Sequence, residues 1–323
     1  MRGIVFAVAL AVSLFAPPRV VEAQSATKVF RVVELNPIPS AGQGAPQKVF
    51  RQTLRDLGYV QGKSILVEDR FAAGSEARLR EDAAEAVRLK ADVILAVSSA
   101  AVRAAANATT TIPIVAVDLE SDPVASGLVS SLAHPGGNLT GFFLDLPEVN
   151  GKRLEQLKEA VPGVARVAIL VDPTMDPAPR RAAEVAARSL GLSFQVVEAR
   201  GSGDLEGAFR EAVKGGSRAL MIIQSPMLAA HPRTIADLAA KHRLPSTRIF
   251  SFFTEAGLLM SYGPNLSALF REAASYVDRI LKGAKPGDLP VQRPTRFELI
   301  LNQKAARVLG SQSRRRSCCG RTA

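Results

Sequence analysis

Leu54-Arg55-Asp56-Leu57-Gly58 leads into an apolar run at 65–69, then Gly74-Ser75, an acidic helical stretch, and a second run at 93–97 that ends on Ser98-Ser99. About 130 residues later the order returns: Ala187-Arg188-Ser189-Leu190-Gly191, a run at 194–198, Gly201-Ser202, a helical stretch, and a run at 219–223 ending on Gln224-Ser225. Self-similarity at a fixed offset marks a repeated structural unit, so two similar lobes are expected. The glycine that follows each helix suits the left-handed turn that ends it.

Working outward, short β-branched runs at 29–35, 65–67, 93–97, 114–117, 167–171, 194–197 and 219–223 alternate with helical stretches. That alternation predicts an α/β fold in which each lobe has a parallel sheet flanked by helices. The stretches 49–57, 77–89, 180–190 and 235–242 carry apolar residues three and four apart, which gives each helix one face to bury. Pro135-Gly136-Gly137-Asn138 precedes a run at 139–144 that reads as a first crossover between lobes. Tyr262-Gly263-Pro264-Asn265 reads as the start of a helix reaching about Lys282, and a late strand at 297–301 recrosses after a Pro- and Gly-containing link. The expected division is 28–143 with 263–286 as lobe one and 144–262 with 287–310 as lobe two.

The termini read differently. Met1-Arg2, an apolar stretch over 4–16 and Val21-Glu22-Ala23 before Gln24 have the three parts of a cleaved secretory signal, so residues 1–23 are expected to be removed. The apolar stretch is too short to span a bilayer. Of the net charge of +11, the signal holds +1 and four tail arginines hold +4, leaving +6 spread over the body with no basic stripe. Nucleic-acid binding is not expected from such a surface. The two cysteines, Cys318 and Cys319, are adjacent in the tail, which excludes a disulfide framework and leaves no lipid-acceptor cysteine after the signal. His134, His231 and His242 share no metal-ligand spacing, and no metal or other cofactor is expected.

In open α/β sheets a ligand sits beyond the carboxyl ends of the strands. Those positions are Asn36, Ser98 and Ser99, Asp118 and Glu120 in lobe one, and Asp172, Gln224, Ser225 and Phe250 in lobe two. Ser98 and Ser99 precede a helix whose N-terminus favours an anion such as a carboxylate, and N-capping is an equally good and compatible role. Asp118 and Glu120 suit an ammonium group or a sugar hydroxyl. Phe250 supplies either core packing, the more common role, or an apolar wall. Catalytic patterns are absent: Gly42-Gln43-Gly44 and Gly201-Ser202-Gly203 lack the full dinucleotide signature, and there is no phosphate loop or nucleophile elbow.

Several strings occur in an ordered series: Leu57-Gly58-Tyr59-Val60-Gln61-Gly62, Thr109-Thr110-Thr111-Ile112-Pro113-Ile114, Asp122-Pro123-Val124-Ala125-Ser126-Gly127-Leu128-Val129, Pro135-Gly136-Gly137-Asn138-Leu139-Thr140-Gly141, Gly151-Lys152-Arg153-Leu154 and Met260-Ser261-Tyr262-Gly263-Pro264-Asn265. Over about Lys28 to Gly310 the chain resembles the ABC transporter substrate-binding proteins of the tryptophan/tyrosine-type family. The resemblance implies a type I periplasmic-binding fold with three hinge crossings, no catalysis, and delivery of a small solute to an ABC permease in the inner membrane. Leu35-Asn36-Pro37 departs from the family's glycine-containing first loop, and 118–121 is an acidic version of the fourth. After Gly310 the chain reads Ser311-Gln312-Ser313-Arg314-Arg315-Arg316-Ser317-Cys318-Cys319 where the family continues in a Leu-Thr-Ile-Pro-Pro-Ser-like segment, which a one-base frameshift explains. Residues 311–323 are therefore expected to be an aberrant tail.

The expectation is a monomeric periplasmic solute-binding component of an ABC importer that takes an amino acid or related carboxylate in the interlobe cleft. A ligand-sensing module coupled to a membrane receptor is the alternative, and a cleft enzyme on the same scaffold is a third.

Overall fold

The computed structural model describes residues 28–38, 44–119, 123–144 and 146–309. The expected signal over 1–23, the tail over 311–323 and Glu120 lie outside these residues.

The first half runs β1 (Phe30–Asn36), α1 (Ala45–Asp56), β2 (Ile65–Phe71), α2 (Glu76–Arg88), β3 (Val93–Ala96), α3 (Ser99–Ala108), β4 (Ile114–Leu119) and β5 (Leu139–Phe143). Its strands lie in the order β2-β1-β3-β4-β5, all parallel. The second half runs α4 (Leu146–Ala160), β6 (Arg166–Val171), α5 (Ala178–Ser189), β7 (Ser193–Glu198), α6 (Leu205–Lys214), β8 (Ala219–Ile222), α7 (Pro226–Ala229), α8 (Pro232–Lys241), β9 (Ser246–Arg248), α9 (Phe252–Ala256) and β10 (Met260–Pro264). After α10 (Leu266–Leu281) come β11 (Phe297–Leu301) and α11 (Gln303–Val308). The second sheet has the order β11-β10-β9-β8-β6-β7.

The central strands are apolar along their whole length because helices cover both faces. Val93, Ile94, Leu95 and Ala96 of β3 are fully buried, as are Ala219, Leu220, Met221 and Ile222 of β8. Alternate residues of β1 feed two layers, Val33 and Leu35 facing α2 and α3, and Val32 facing α1 and α10. The edge strand β11 runs antiparallel to β10, in an otherwise parallel sheet.

The sequence repeat becomes the same helix terminus twice. Gly58 (φ +95) donates to the Arg55 carbonyl and Tyr59 to that of Leu54, while Gly191 (φ +68) donates to Arg188 and Leu192 to Ala187, each at 2.9 Å. Both are the paired bonds of a helix closed by a left-handed residue, a conformation that glycine adopts without Cβ strain.

The chain passes between halves three times. β5 leads into α4, β10 leads into α10, which packs on α1, and residues 293–296 lead into β11. Before that last passage, Val291 and Gln292 donate to the Leu132 and Gly141 carbonyls of the first half at 2.7 and 2.9 Å. Two elements differ from the sequence reading. β9 is only Ser246-Thr247-Arg248, too short and polar to register as a strand, and Met260–Pro264 is the strand β10, with Asn265 capping the helix that follows.

Candidate functional site

A cavity of about 680 Å³ opens between the halves, lined from both. From the first half come Asn36, Gln47, Val97, Ser98, Ser99 and Val117, with Leu266 and Phe270 of α10. The second half adds Met175, Gln224, Ser225, Arg248, Phe250, Phe252 and Ile300. These are mainly residues at or just past the C-terminal ends of parallel strands, where the turn into the next helix leaves side chains and backbone amides facing the cleft.

Ser98 and Ser225 take corresponding places after β3 and β8. Both adopt extended backbone and cap the next helix, Ser98 Oγ accepting from Ala101 N at 3.1 Å and Ser225 Oγ from Leu228 N at 3.0 Å. A capping hydroxyl still has its own O–H to donate, so each serine can serve the helix and a ligand acceptor together.

Asn36 is held from both ends: Nδ2 donates to Glu34 Oε1 at 2.9 Å and Oδ1 accepts from Ile38 N at 3.1 Å. Gln47 Nε2 reaches the same Glu34 oxygen at 3.3 Å, so one buried carboxylate positions two cavity-lining amides. Burial pushes the Glu34 carboxyl up to about 7, and its Oε2 has no partner among the described residues.

Gln224 is half-buried at the cavity, and Phe250 lines it while stacking on Phe252 at 6.0 Å with ring planes 16° apart. Asp172 ends up next to the cavity but not on it. Its Oδ1 accepts from the Thr174 amide at 3.0 Å and the Thr174 hydroxyl at 2.6 Å, while Met175 takes the lining position. Asp118 lies in β4, near its C-terminal end.

Sequence reasoning missed Gln47, Met175 and, most consequentially, Arg248. It is 1% exposed, its guanidinium lies 4.0 Å from the Phe253 ring centroid, and Nε and Nη1 have no partner among the described residues. Its one sequence signal is a cationic side chain directly before Ile249-Phe250, at a strand end.

The sequence profile of the ABC transporter substrate binding protein family matches residues 36–316. The chain is similar to the tyrosine-binding protein of Clostridioides difficile (strain R20291), 26% identical over 277 residues that cover 82% of this chain and 76% of that one. A solved conserved domain protein from Vibrio cholerae is 26% identical with a TM-score of 0.80, covering 88% of this chain and 95% of that one. A Streptococcus pneumonia ABC domain solved in complex with L-Trp shares the fold at 20% identity and a TM-score of 0.77, with the same coverage. The two hinged parallel-sheet halves are those of the type I periplasmic binding proteins. Proteins of the matched family are substrate-binding proteins rather than enzymes. Matched from the end of β1 to beyond α11, this chain belongs to the ABC transporter substrate binding protein family.

Proposed function

We propose that the chain is the solute-binding component of an ABC importer, holding an amino acid or related carboxylate between its halves and presenting the closed form to an inner-membrane permease. The observation that carries this reading is the cavity itself: Ser98 and Ser225 line it from opposite halves, so a bound solute joins two bodies linked by three strands of chain. A ligand that contacts both halves stabilises their closed arrangement by its differential affinity for that state. The tyrosine and tryptophan named for two similar proteins fit the apolar part of the lining, where Phe250, Phe252, Leu266 and Phe270 surround a space large enough for a ring. Asn36, Ser98, Ser99, Gln224, Ser225 and Phe250 are the proposed contacts within the cavity, and Asp172 lies beside it. Asp118 and Glu120 are proposed from their place in the sequence after the fourth strand run. In this reading residues 1–23 serve as an export signal, and the chain meets its permease as a monomer in the periplasm.

Mass spectrometry of small molecules released from purified protein, followed by calorimetry with the identified compound, tests the reading. One carboxylate-bearing solute bound at one per chain is expected, with weaker binding in the Ser98→Ala, Ser99→Ala double variant. A protein that releases no solute and binds none of the amino acids would sink it.

A further inference from the structure

The cavity wall contains a buried cation that nothing among the described residues neutralises. Arg248 ends β9, is 1% exposed, and lines the cavity. Its Nε and Nη1 donate to nothing described, and its guanidinium lies 4.0 Å from the centroid of the Phe253 ring. A ring face offers a cation only a weak electrostatic contact, far less than a carboxylate does.

The neighbouring charge makes the placement worse. Arg153, also fully buried, is spent on structure: Nη1 donates to Asn150 Oδ1 at 3.0 Å, and Nη2 to the Ile222 and Thr247 carbonyls at 2.9 and 3.1 Å. Burial first, and then Arg153, pull the Arg248 guanidinium down to about 9, which leaves it a cation at neutral pH. Two like charges therefore lie in a low-dielectric interior with no described carboxylate on either. Such an arrangement is strongly unfavourable unless an anion joins it.

The first half presents a second source of positive potential to the same cavity. Ser98 and Ser99 bring the N-terminus of the ten-residue helix α3 to the lining, with the amide ends of its dipole leading. The described carboxylates on the lining are otherwise placed: Glu298 accepts from Asn265 at 2.9 Å, and Glu255 is exposed. Phe250, Phe252, Leu266, Phe270 and Ile300 make the rest of the wall apolar.

We infer that Arg248 is the counter-charge of the solute's carboxylate, and that the protein selects an anionic group on an apolar body over neutral solutes of similar size. This assignment rests on the solute-binding reading and adds to it the residue that sets ligand charge. Burial and the Phe253 ring hold the Arg248 guanidinium in the cavity wall, and its planar fork matches the two oxygens of a carboxylate.

The test uses the purified chain, L-tyrosine, hydroxyphenylpropionate, tyramine and glucose in calorimetry, with Arg248→Met and Arg248→Gln as variants. The wild type is expected to bind the two carboxylates and neither tyramine nor glucose. Arg248→Met is expected to weaken carboxylate binding about a hundredfold, the scale for removing one partner of a buried charge pair. Because no described side chain pairs with this charge, the ligand-free Arg248→Met protein should melt at or above the wild-type temperature, which a merely structural arginine would not allow. Wild-type carboxylate affinity in either variant overturns the inference, as does a wild type that binds none of the carboxylates. If Arg248→Met fails to fold, Arg248→Gln decides on affinity alone. A neutral solute released from the purified wild type overturns the assignment to Arg248 while leaving solute binding intact, whereas a cavity that takes no solute of any kind removes both.

Discussion

Arg153 donates from α4 to the carbonyl of Thr247 at 3.1 Å, directly beneath the strand end that carries Arg248. The same nitrogen reaches the Ile222 carbonyl at 2.9 Å, so one side chain ties the C-terminal ends of β8 and β9 together under the cavity. Arg153→Ala should lower stability by about 3 kcal/mol, since it strands two buried carbonyls and the Asn150 side chain. Urea denaturation should show the loss as an earlier midpoint. Arg153→Lys should recover only part of it, because an ammonium lacks the planar fork; full recovery would refute the bridging role.

Glu34 should make stability fall as pH rises. Burial holds its folded pKa at about 7 against an ordinary 4.5, with Asp69 adding to the rise and the bonds from Asn36 and Gln47 and the Arg51 charge opposing it. The folded protein therefore keeps this proton longer than the unfolded chain does. Stability from the neutral form is complete below 4.5 and is lost as pH climbs through 7. Glu34→Gln keeps an oxygen for Asn36 and Gln47 and cannot ionise, so at about pH 8 it should be more stable than wild type by about 3 kcal/mol. Denaturation curves on either side of the transition check this: the gap between the two proteins should close at acid pH.

Gly74 should be a point where closure can be blocked. It follows β2 with φ +85, and a Cβ there would lie 3.2 Å from both the Pro226 carbonyl and the Ala230 Cβ of the other half. Gly74→Val adds branched bulk at that seam and a left-handed strain of about 1–2 kcal/mol. Solute affinity should drop about tenfold, the equivalent of about 1.4 kcal/mol set against the closed form. Small-angle scattering with saturating solute should show a larger radius of gyration than the wild type does, and equal radii would exclude the seam as a closing contact.

Asn265 should matter to both the second and third crossings. Its Oδ1 accepts from Ala268 N at 2.8 Å to cap α10, and its Nδ2 donates to Glu298 Oε2 of β11 at 2.9 Å. Asn265→Ala loses both, and the cap alone is worth about 1 kcal/mol. Thermal unfolding should show the decrease, and Asn265→Ser, which restores only the cap, should fall between.

Much of the fold was legible because burial on both faces writes itself into a strand. The runs at 93–97 and 219–223 are apolar for that reason, and the glycines at 58 and 191 are demanded by their left-handed backbone. Tyr262-Gly263-Pro264-Asn265 reads as the opening of a helix because Gly and Pro are usual punctuation, yet the two neighbours of β10 in the sheet supply the ladder that local propensity does not. Of the site, Ser98 and Ser225 were legible from the rule that strand ends face the cleft. Asp172 obeyed the same rule in position but turned its carboxylate to Thr174, a choice that local hydrogen bonding makes.

By itself the sequence determined the two-lobed α/β plan, the repeated helix endings and the family, since these follow from local periodicity, backbone conformation and ordered strings of residues. Only the tertiary structure decided that Arg248 is buried without a partner and that Glu34 holds Asn36 and Gln47. An isolated charge in a chain carries no mark of its surroundings, and its energy depends on which side chains the fold brings within a few ångströms and how much water it removes.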